Sequence, residues 1–83
     1  MKKFLYFSCT WCVPCTKLGP IMNELQRDGY NVQKIDAELD TNLVSQYNVR
    51  TIPTVVLIKN GQEVTRQVGI QSKSYYINLW EQS

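Results

Sequence analysis

The segment Trp11-Cys12-Val13-Pro14-Cys15 lies between the apolar run Phe4-Leu5-Tyr6-Phe7 and a stretch of apolar residues at helical spacing. Two cysteines separated by two residues at such a strand-to-helix junction can reach each other. The first helical turn offers unpaired backbone N–H groups and the positive end of the helix dipole, which favour a thiolate over a thiol at Cys12. We therefore expect Cys12, at an exposed helix end, to be a nucleophile and Cys15 its resolving partner.

The length and composition are those of one small globular domain. The chain has 83 residues, of which 43% are hydrophobic and 19% are charged, so we expect a single domain over residues 1–83. The net charge is only +2 and is spread along the chain. It gives no reason to expect nucleic acid or an anionic membrane as a partner, and we expect a monomer.

The cysteines indicate chemistry rather than cross-linking. All three lie between Cys9 and Cys15, and the chain has no histidine. Thiols this close together cannot join distant parts of a fold, and without histidine the Cys/His catalytic pairs and the usual catalytic zinc ligands are excluded. The apolar run after Met1-Lys2-Lys3 ends too early for a signal peptide. We expect a cytoplasmic protein that uses no organic cofactor and no metal.

The predicted elements follow the order β-α-β-(α)-β-β-α. Apolar periodicity and turn signals place strands at 4–8, 32–36, 54–58 and 63–68, and helices at 14–27, at 43–47 and after residue 72. Gly29 ends the first helix, Asn60-Gly61 is a strong hairpin signal, and Ser72 caps the last helix. The strand-helix-strand unit predicts parallel pairing. These features predict an α/β fold with a mixed four-stranded sheet and helices on both faces.

From Phe4 to Trp80 the chain resembles thioredoxin. The resemblance rests on an ordered set of signals: Trp-Cys-x-Pro-Cys at residues 11–15, Pro20 five residues later, Tyr47-Asn48-Val49-Arg50-Thr51-Ile52-Pro53-Thr54, the turn Lys59-Asn60-Gly61, and Val68-Gly69. Such a set is far more specific than one Cys-x-x-Cys. It implies the thioredoxin fold and a thiol-disulfide oxidoreductase, which reduces protein disulfides through a mixed disulfide on Cys12 and is recharged by a reductase.

The resemblance also implies a substrate-binding surface. The family has a cis-proline at the position of Pro53, which would leave the backbone of Ile52 able to pair with an extended partner chain. An ordinary proline at the edge of a strand is the alternative. The residues carried over to substrate binding are Trp11, Val13, Pro14, Thr51, Ile52, Pro53, Val68 and Gly69.

The chain departs from the family pattern in three ways. Full-length thioredoxins carry an additional strand and helix before the strand at 4–8, so we expect a short, glutaredoxin-sized version. The family's buried acid, six residues before the nucleophile, is Tyr6 here, which leaves Asp36, Asp28 and Lys34 as candidate bases. Val13 replaces the usual glycine between the cysteines, and this leaves the reduction potential open.

Two other functions remain as alternatives. The first is a glutaredoxin recharged by glutathione, although Val68-Gly69-Ile70 stands where glutaredoxins have a glycine pair. The second is a metal or iron–sulfur module that uses Cys9, Cys12 and Cys15, although a fourth cysteine is missing from the sequence. Without such a role, Cys9 is either a small, partly buried residue ahead of the reactive loop or a site of redox regulation.

Overall fold

The computed structural model describes residues 1–83, apart from the side chains of Pro14 and Cys15. The elements over these residues are β1 (Lys2–Ser8), α1 (Val13–Arg27), β2 (Val32–Asp36), α2 (Thr41–Gln46), β3 (Thr54–Lys59), β4 (Gln62–Val68) and α3 (Lys73–Gln82). The predicted element order is confirmed, and each predicted boundary lies within two residues of the observed one.

The four strands form one mixed sheet in the order β2-β1-β3-β4. β1 is parallel to β2 and antiparallel to β3, and β3 and β4 form an antiparallel hairpin. Because β1 ends at Ser8 where β3 begins, and Phe7 is paired with Thr54, the loop after β1 and the residues before β3 meet at one edge of the sheet. This edge carries Cys12 and Pro53.

Strand β1 is buried on both faces, as its unbroken apolar sequence predicts. Alternate side chains point to opposite faces of a strand. Phe4 and Tyr6 pack with α1 and α3 in one buried cluster, whereas Leu5 and Phe7 pack with residues of α2 in another. Full burial of a side chain such as Phe4 contributes roughly 1.5–3 kcal/mol. The helices therefore cover both faces of the sheet, as predicted.

Helix α1 buries one face and ends at a glycine. Leu18, Met22 and Leu25 have no exposed surface and recur at helical spacing. At the C-terminus, the Gly29 N–H donates to the Gln26 carbonyl at 3.1 Å, and the next N–H, that of Tyr30, donates to the Leu25 carbonyl at 3.0 Å. These two bonds form a Schellman motif, which needs the left-handed conformation that Gly29 adopts, with φ of 99°.

The turn and the cap predicted for the second half of the chain are confirmed. Asn60 and Gly61 join β3 to β4 with φ of 54° and 81°, the positive values that a type I′ hairpin turn requires. Ser72 is the N-cap of α3, where its hydroxyl accepts the Tyr75 N–H at 3.2 Å. Tyr76 then packs its ring edge-on to Phe4, with centroids 6.1 Å apart. Through this contact α3 returns to cover the sheet.

None of the helices in the described part of the chain has the length and apolarity needed to cross a lipid bilayer.

Two glycines, one inside α1 and one just beyond its C-terminus, give a matched test of the role of Gly29. Gly29→Ala should lower the free energy of unfolding by about 1–2 kcal/mol, because a Cβ is strained in the left-handed conformation. Gly19 lies inside α1, and a Cβ built on it meets nothing within 4 Å, so Gly19→Ala should raise the free energy of unfolding by up to about 1 kcal/mol. Urea unfolding measures both. Equal effects of the two substitutions would contradict the role given to Gly29.

Candidate active site

Cys12 is the N-cap residue of α1. Its backbone is extended, with φ of −82° and ψ of 114°, and its side chain makes no capping hydrogen bond. The first turn of the helix carries no acidic side chain, so no carboxylate of that turn offsets the positive end of the helix dipole. Cys12 thus lies where a developing negative charge on sulfur is stabilised.

The Cys12 side chain is covered although both of its neighbours are exposed. It is only 7% exposed, whereas Trp11 is 72% and Val13 is 70% exposed. Cys12 was expected at an exposed helix end, and its neighbours there are at the surface, but residues from elsewhere in the chain shield the thiol itself. Two large apolar side chains flank the thiol at the surface instead.

The shielding comes from the segment before β3. The Ile52–Pro53 peptide bond is cis, as predicted, and the Cys12 thiol donates to the Ile52 carbonyl with 3.8 Å between sulfur and oxygen. The Ile52 side chain packs against Cys12 and Cys9. The two segments that the sequence analysis singled out, 40 residues apart in the chain, are therefore in direct contact.

The end of β4 joins the same site from the other side. The Gly69 N–H donates to the Pro53 carbonyl at 3.0 Å, and Val68 is paired with Thr54. Val68 is 48% exposed, and Ile70, which the sequence analysis did not single out, is 39% exposed. The sequence could have identified Ile70 by its position next to Val68-Gly69, because an apolar residue just beyond a strand end lies at the same edge of the sheet.

The structure brings together the predicted substrate-binding residues whose side chains it describes. Of these, Trp11, Val13, Thr51 and Val68 are exposed, Ile52 and Gly69 are partly exposed, and Pro53 is buried. The side chains of Pro14 and Cys15 lie outside the described part, and their predicted roles stay predictions. The exposed members form an apolar surface around a covered thiol, a combination typical of a protein-binding site.

Cys9 belongs to the same cluster. It is 7% exposed and packs against Cys12 and Ile52, and its carbonyl accepts the Cys12 N–H at 3.4 Å. Burial raises the pKa of the Cys9 thiol, and the adjacent Cys12 raises that pKa further. At neutral pH Cys9 is therefore a protonated thiol beside the predicted nucleophile.

The chain matches the family model of thioredoxin over residues 2–81. It is 35% identical to a thioredoxin of Rickettsia felis over 82% of this chain and 68% of that protein, and 36% identical to one of Chlamydia trachomatis serovar D over 88% and 74%. Among solved structures it is similar to a mutant thioredoxin from Halobacterium salinarum NRC-1, with a TM-score of 0.91 and 34% identity over 98% of this chain and 73% of that one.

The chain belongs to the thioredoxin family. Its sheet and helices form the thioredoxin fold, and it is a thiol-disulfide oxidoreductase of the protein-disulfide reductase class. Membership implies disulfide-containing substrates and a reductase that recharges the dithiol. The glutaredoxin and metal-module alternatives are not favoured, because the relatives and solved structures named above are thioredoxins.

Within this thioredoxin, a cleft of about 260 Å³ opens behind Cys9 on the face of the sheet that α1 covers. It is lined by Tyr6, Ser8, Cys9, Thr10, Thr16, Gly19, Asn23 and Lys34. Tyr6, which replaces the family's acid, is 3% exposed. Of the three candidate bases, Lys34 alone lines this cleft, where its ammonium donates to the Asn23 side chain.

The two aspartates are engaged elsewhere. Asp28 forms a salt bridge with Lys73 at 2.6 Å, at the far end of α1. Asp36 accepts the Glu38 N–H at 2.9 Å through its own carboxylate. The first interaction joins the C-terminal end of α1 to the start of α3, and the second lies within the turn after β2. Among the described side chains, which do not include Cys15, no three potential ligands from His, Cys, Asp and Glu are grouped as a metal site.

Arg66 of β4 restrains the segment that leads to Pro53 through hydrogen bonds. Its guanidinium donates to the Tyr47 carbonyl at the end of α2 at 2.6 Å and to Glu63 at 2.7 Å. The Arg66 hydrogen bond holds the pKa of Glu63 below its ordinary value. Thr54 adds a second restraint, because its hydroxyl donates to the Thr51 carbonyl at 2.5 Å. These bonds orient the chain on both sides of Ile52.

The Glu63–Arg66 pair predicts a pH-dependent stability. Because the folded-state pKa of Glu63 is lowered, its contribution is present above the ordinary pKa of 4.5 and is lost as the pH falls through the lower folded value. Glu63→Gln should lower the free energy of unfolding at neutral pH by less than about 1 kcal/mol, since the pair is partly exposed. Urea unfolding at neutral pH and near pH ~3 tests this. A wild-type minus variant difference of equal size at both pH values would contradict the assignment.

Proposed function

We propose that Cys12 attacks a disulfide of a protein substrate and that Cys15 resolves the resulting mixed disulfide. In the first step a Cys12–substrate S–S bond forms, the substrate S–S bond breaks, and one substrate thiolate leaves and is protonated. In the second step Cys15 attacks the Cys12 sulfur and releases the other substrate thiol. The dithiol loses two electrons and the substrate disulfide gains them.

One observation supports this proposal above the others: the Cys12 thiol contacts the carbonyl of Ile52, next to the cis peptide bond of Pro53. The thiol form of Cys12 donates a hydrogen bond to that carbonyl, with 3.8 Å between sulfur and oxygen. The Cys12 thiolate that attacks has no proton to donate, nor has the S–S bond that it forms, so the Ile52 carbonyl becomes available to a backbone N–H of the bound substrate. Attack on the disulfide and pairing of the substrate backbone are in this way coupled.

The apolar surface around Cys12 supports a docking role for Trp11, Val13, Pro14, Thr51, Ile52, Pro53, Val68 and Gly69. Exposed aromatic and aliphatic side chains gain from burial against a partner, and a tryptophan supplies much of this gain. We further infer that the protein acts as a monomer in the cytoplasm, where a reductase restores the Cys12/Cys15 dithiol. The net charge of +2 fits a protein partner rather than nucleic acid or a membrane surface.

Removal of the nucleophile is the first test. Cys12→Ser should abolish the reduction of insulin disulfides, because a serine hydroxyl does not form the mixed disulfide. Insulin turbidity with dithiothreitol as the electron source measures the rate. Retained turnover in a folded Cys12→Ser protein would refute the assignment of Cys12.

Two valines of β4 test the docking surface. Val68 and Val64 are each 48% exposed, but only Val68 lies at the strand end beside Gly69 and Pro53. Val68→Ala should raise KM for insulin roughly fivefold, as expected from about 1 kcal/mol of lost apolar burial at the interface. Val64→Ala, the matched control, should leave KM unchanged. Equal KM values for the two variants would place substrate binding elsewhere.

A further inference from the structure

Cys9 is a buried thiol that the proposed mechanism does not use. It lies three residues before Cys12 in a turn, and the Cys12 N–H donates to the Cys9 carbonyl at 3.4 Å. A turn closed in this way keeps the first and fourth Cα atoms within about 7 Å of each other. Disulfides in proteins join Cα atoms about 4.4–6.8 Å apart. The turn therefore brings the two Cα atoms to a separation compatible with a disulfide between the two cysteines.

The side chains also meet. Cys9 and Cys12 form one buried cluster, and Ile52 packs against it. Cys9 is as buried as Cys12, each being 7% exposed, but it lies outside the start of α1, where a thiolate is stabilised. The sulfur of Cys12 is the electrophile within its reach once Cys12 carries a substrate.

We propose that Cys9 is a second resolving thiol, which attacks the Cys12–substrate mixed disulfide and closes a Cys9–Cys12 disulfide. This inference rests on the proposed function, since it requires the mixed disulfide on Cys12. The Cys9 thiol gives its proton to solvent and its sulfur bonds to the Cys12 sulfur. The Cys12–substrate bond breaks, and the substrate leaves as a thiolate that takes up a proton. Cys9 and Cys12 together supply the two electrons, and Cys15 stays a thiol.

The pKa of Cys9 determines how fast this thiol attacks a disulfide compared with other thiols. Thiolates attack disulfides and thiols do not. Burial raises the pKa of Cys9, and the Glu38 carboxylate adds a smaller effect in the same direction, so only a small fraction is ionised at neutral pH. Resolution by Cys9 should therefore be slow at neutral pH. Its rate should rise about tenfold with each unit by which the pH is increased, until the pH reaches that pKa. Resolution by Cys9 replaces resolution by Cys15 when Cys15 is oxidised, modified or replaced.

The test uses the full-length Cys15→Ser protein and a nitrobenzoate disulfide whose released thiolate is coloured. Attack by Cys12 releases one thiolate per protein, and resolution by Cys9 releases a second, leaving a protein that has lost the mass of two hydrogens. Chymotrypsin cleavage after Trp11 separates Cys9 from Cys12, so a linked pair of peptides in the mass spectrum identifies the bond. The matched control is the Cys9→Ser, Cys15→Ser double variant, in which the adduct on Cys12 should persist.

For Cys15→Ser, the inference predicts two released thiolates and the linked peptides, and the release of the second thiolate should accelerate as the pH rises. For the double variant, it predicts one released thiolate and a stable adduct. A stable adduct in Cys15→Ser, or two adducts without the linked peptides, would overturn it. If Cys12 fails to react in both folded variants, the proposed function itself fails and this inference falls with it.

Discussion

The pairing of β1 with β3 is the constraint on which the site depends. It places Phe7 opposite Thr54, so the chain leaving β1 toward Cys12 and the chain entering β3 through Pro53 must lie side by side. Burial of β1 on both faces fixes this register, because a slip by one residue would exchange the side chains packed under α1 and α3 with those packed under α2. The contact between the Cys12 thiol and the Ile52 carbonyl follows from that register.

Much of this arrangement could be predicted from the sequence because its causes are local. Gly29 ends α1, Asn60-Gly61 forms the hairpin turn, and Ser72 caps α3 through contacts within a few residues. The unbroken apolar run of β1 predicted a strand covered on both faces. The ordered motifs, rather than periodicity, pointed to Cys12 and to a cis bond before Pro53.

What the sequence did not predict depends on contacts between distant segments. The shielding of Cys12 comes from Ile52, 40 residues away, and a helix-start argument contains no information about it. The hydrogen bond from Arg66 to the Tyr47 carbonyl spans 19 residues, and the sequence of β4 does not predict it. Cys9 is a different case, since its spacing from Cys12 was visible in the sequence, but only the structure shows that the two residues close a turn and share one buried cluster.

The central claim is that Cys12, at the start of α1, is the most reactive thiol of the reduced protein. It is tested most directly by the order in which iodoacetamide modifies the three cysteines near neutral pH, followed by mass spectrometry. Cleavage after Trp11 separates Cys9 from Cys12, and fragmentation of the peptide that holds both Cys12 and Cys15 assigns the label between those two. The helix dipole and the absence of acidic side chains from the first turn predict that Cys12 is alkylated first. Cys9, whose pKa is raised by burial, should trail it. Faster alkylation of Cys15 or Cys9 would contradict the account.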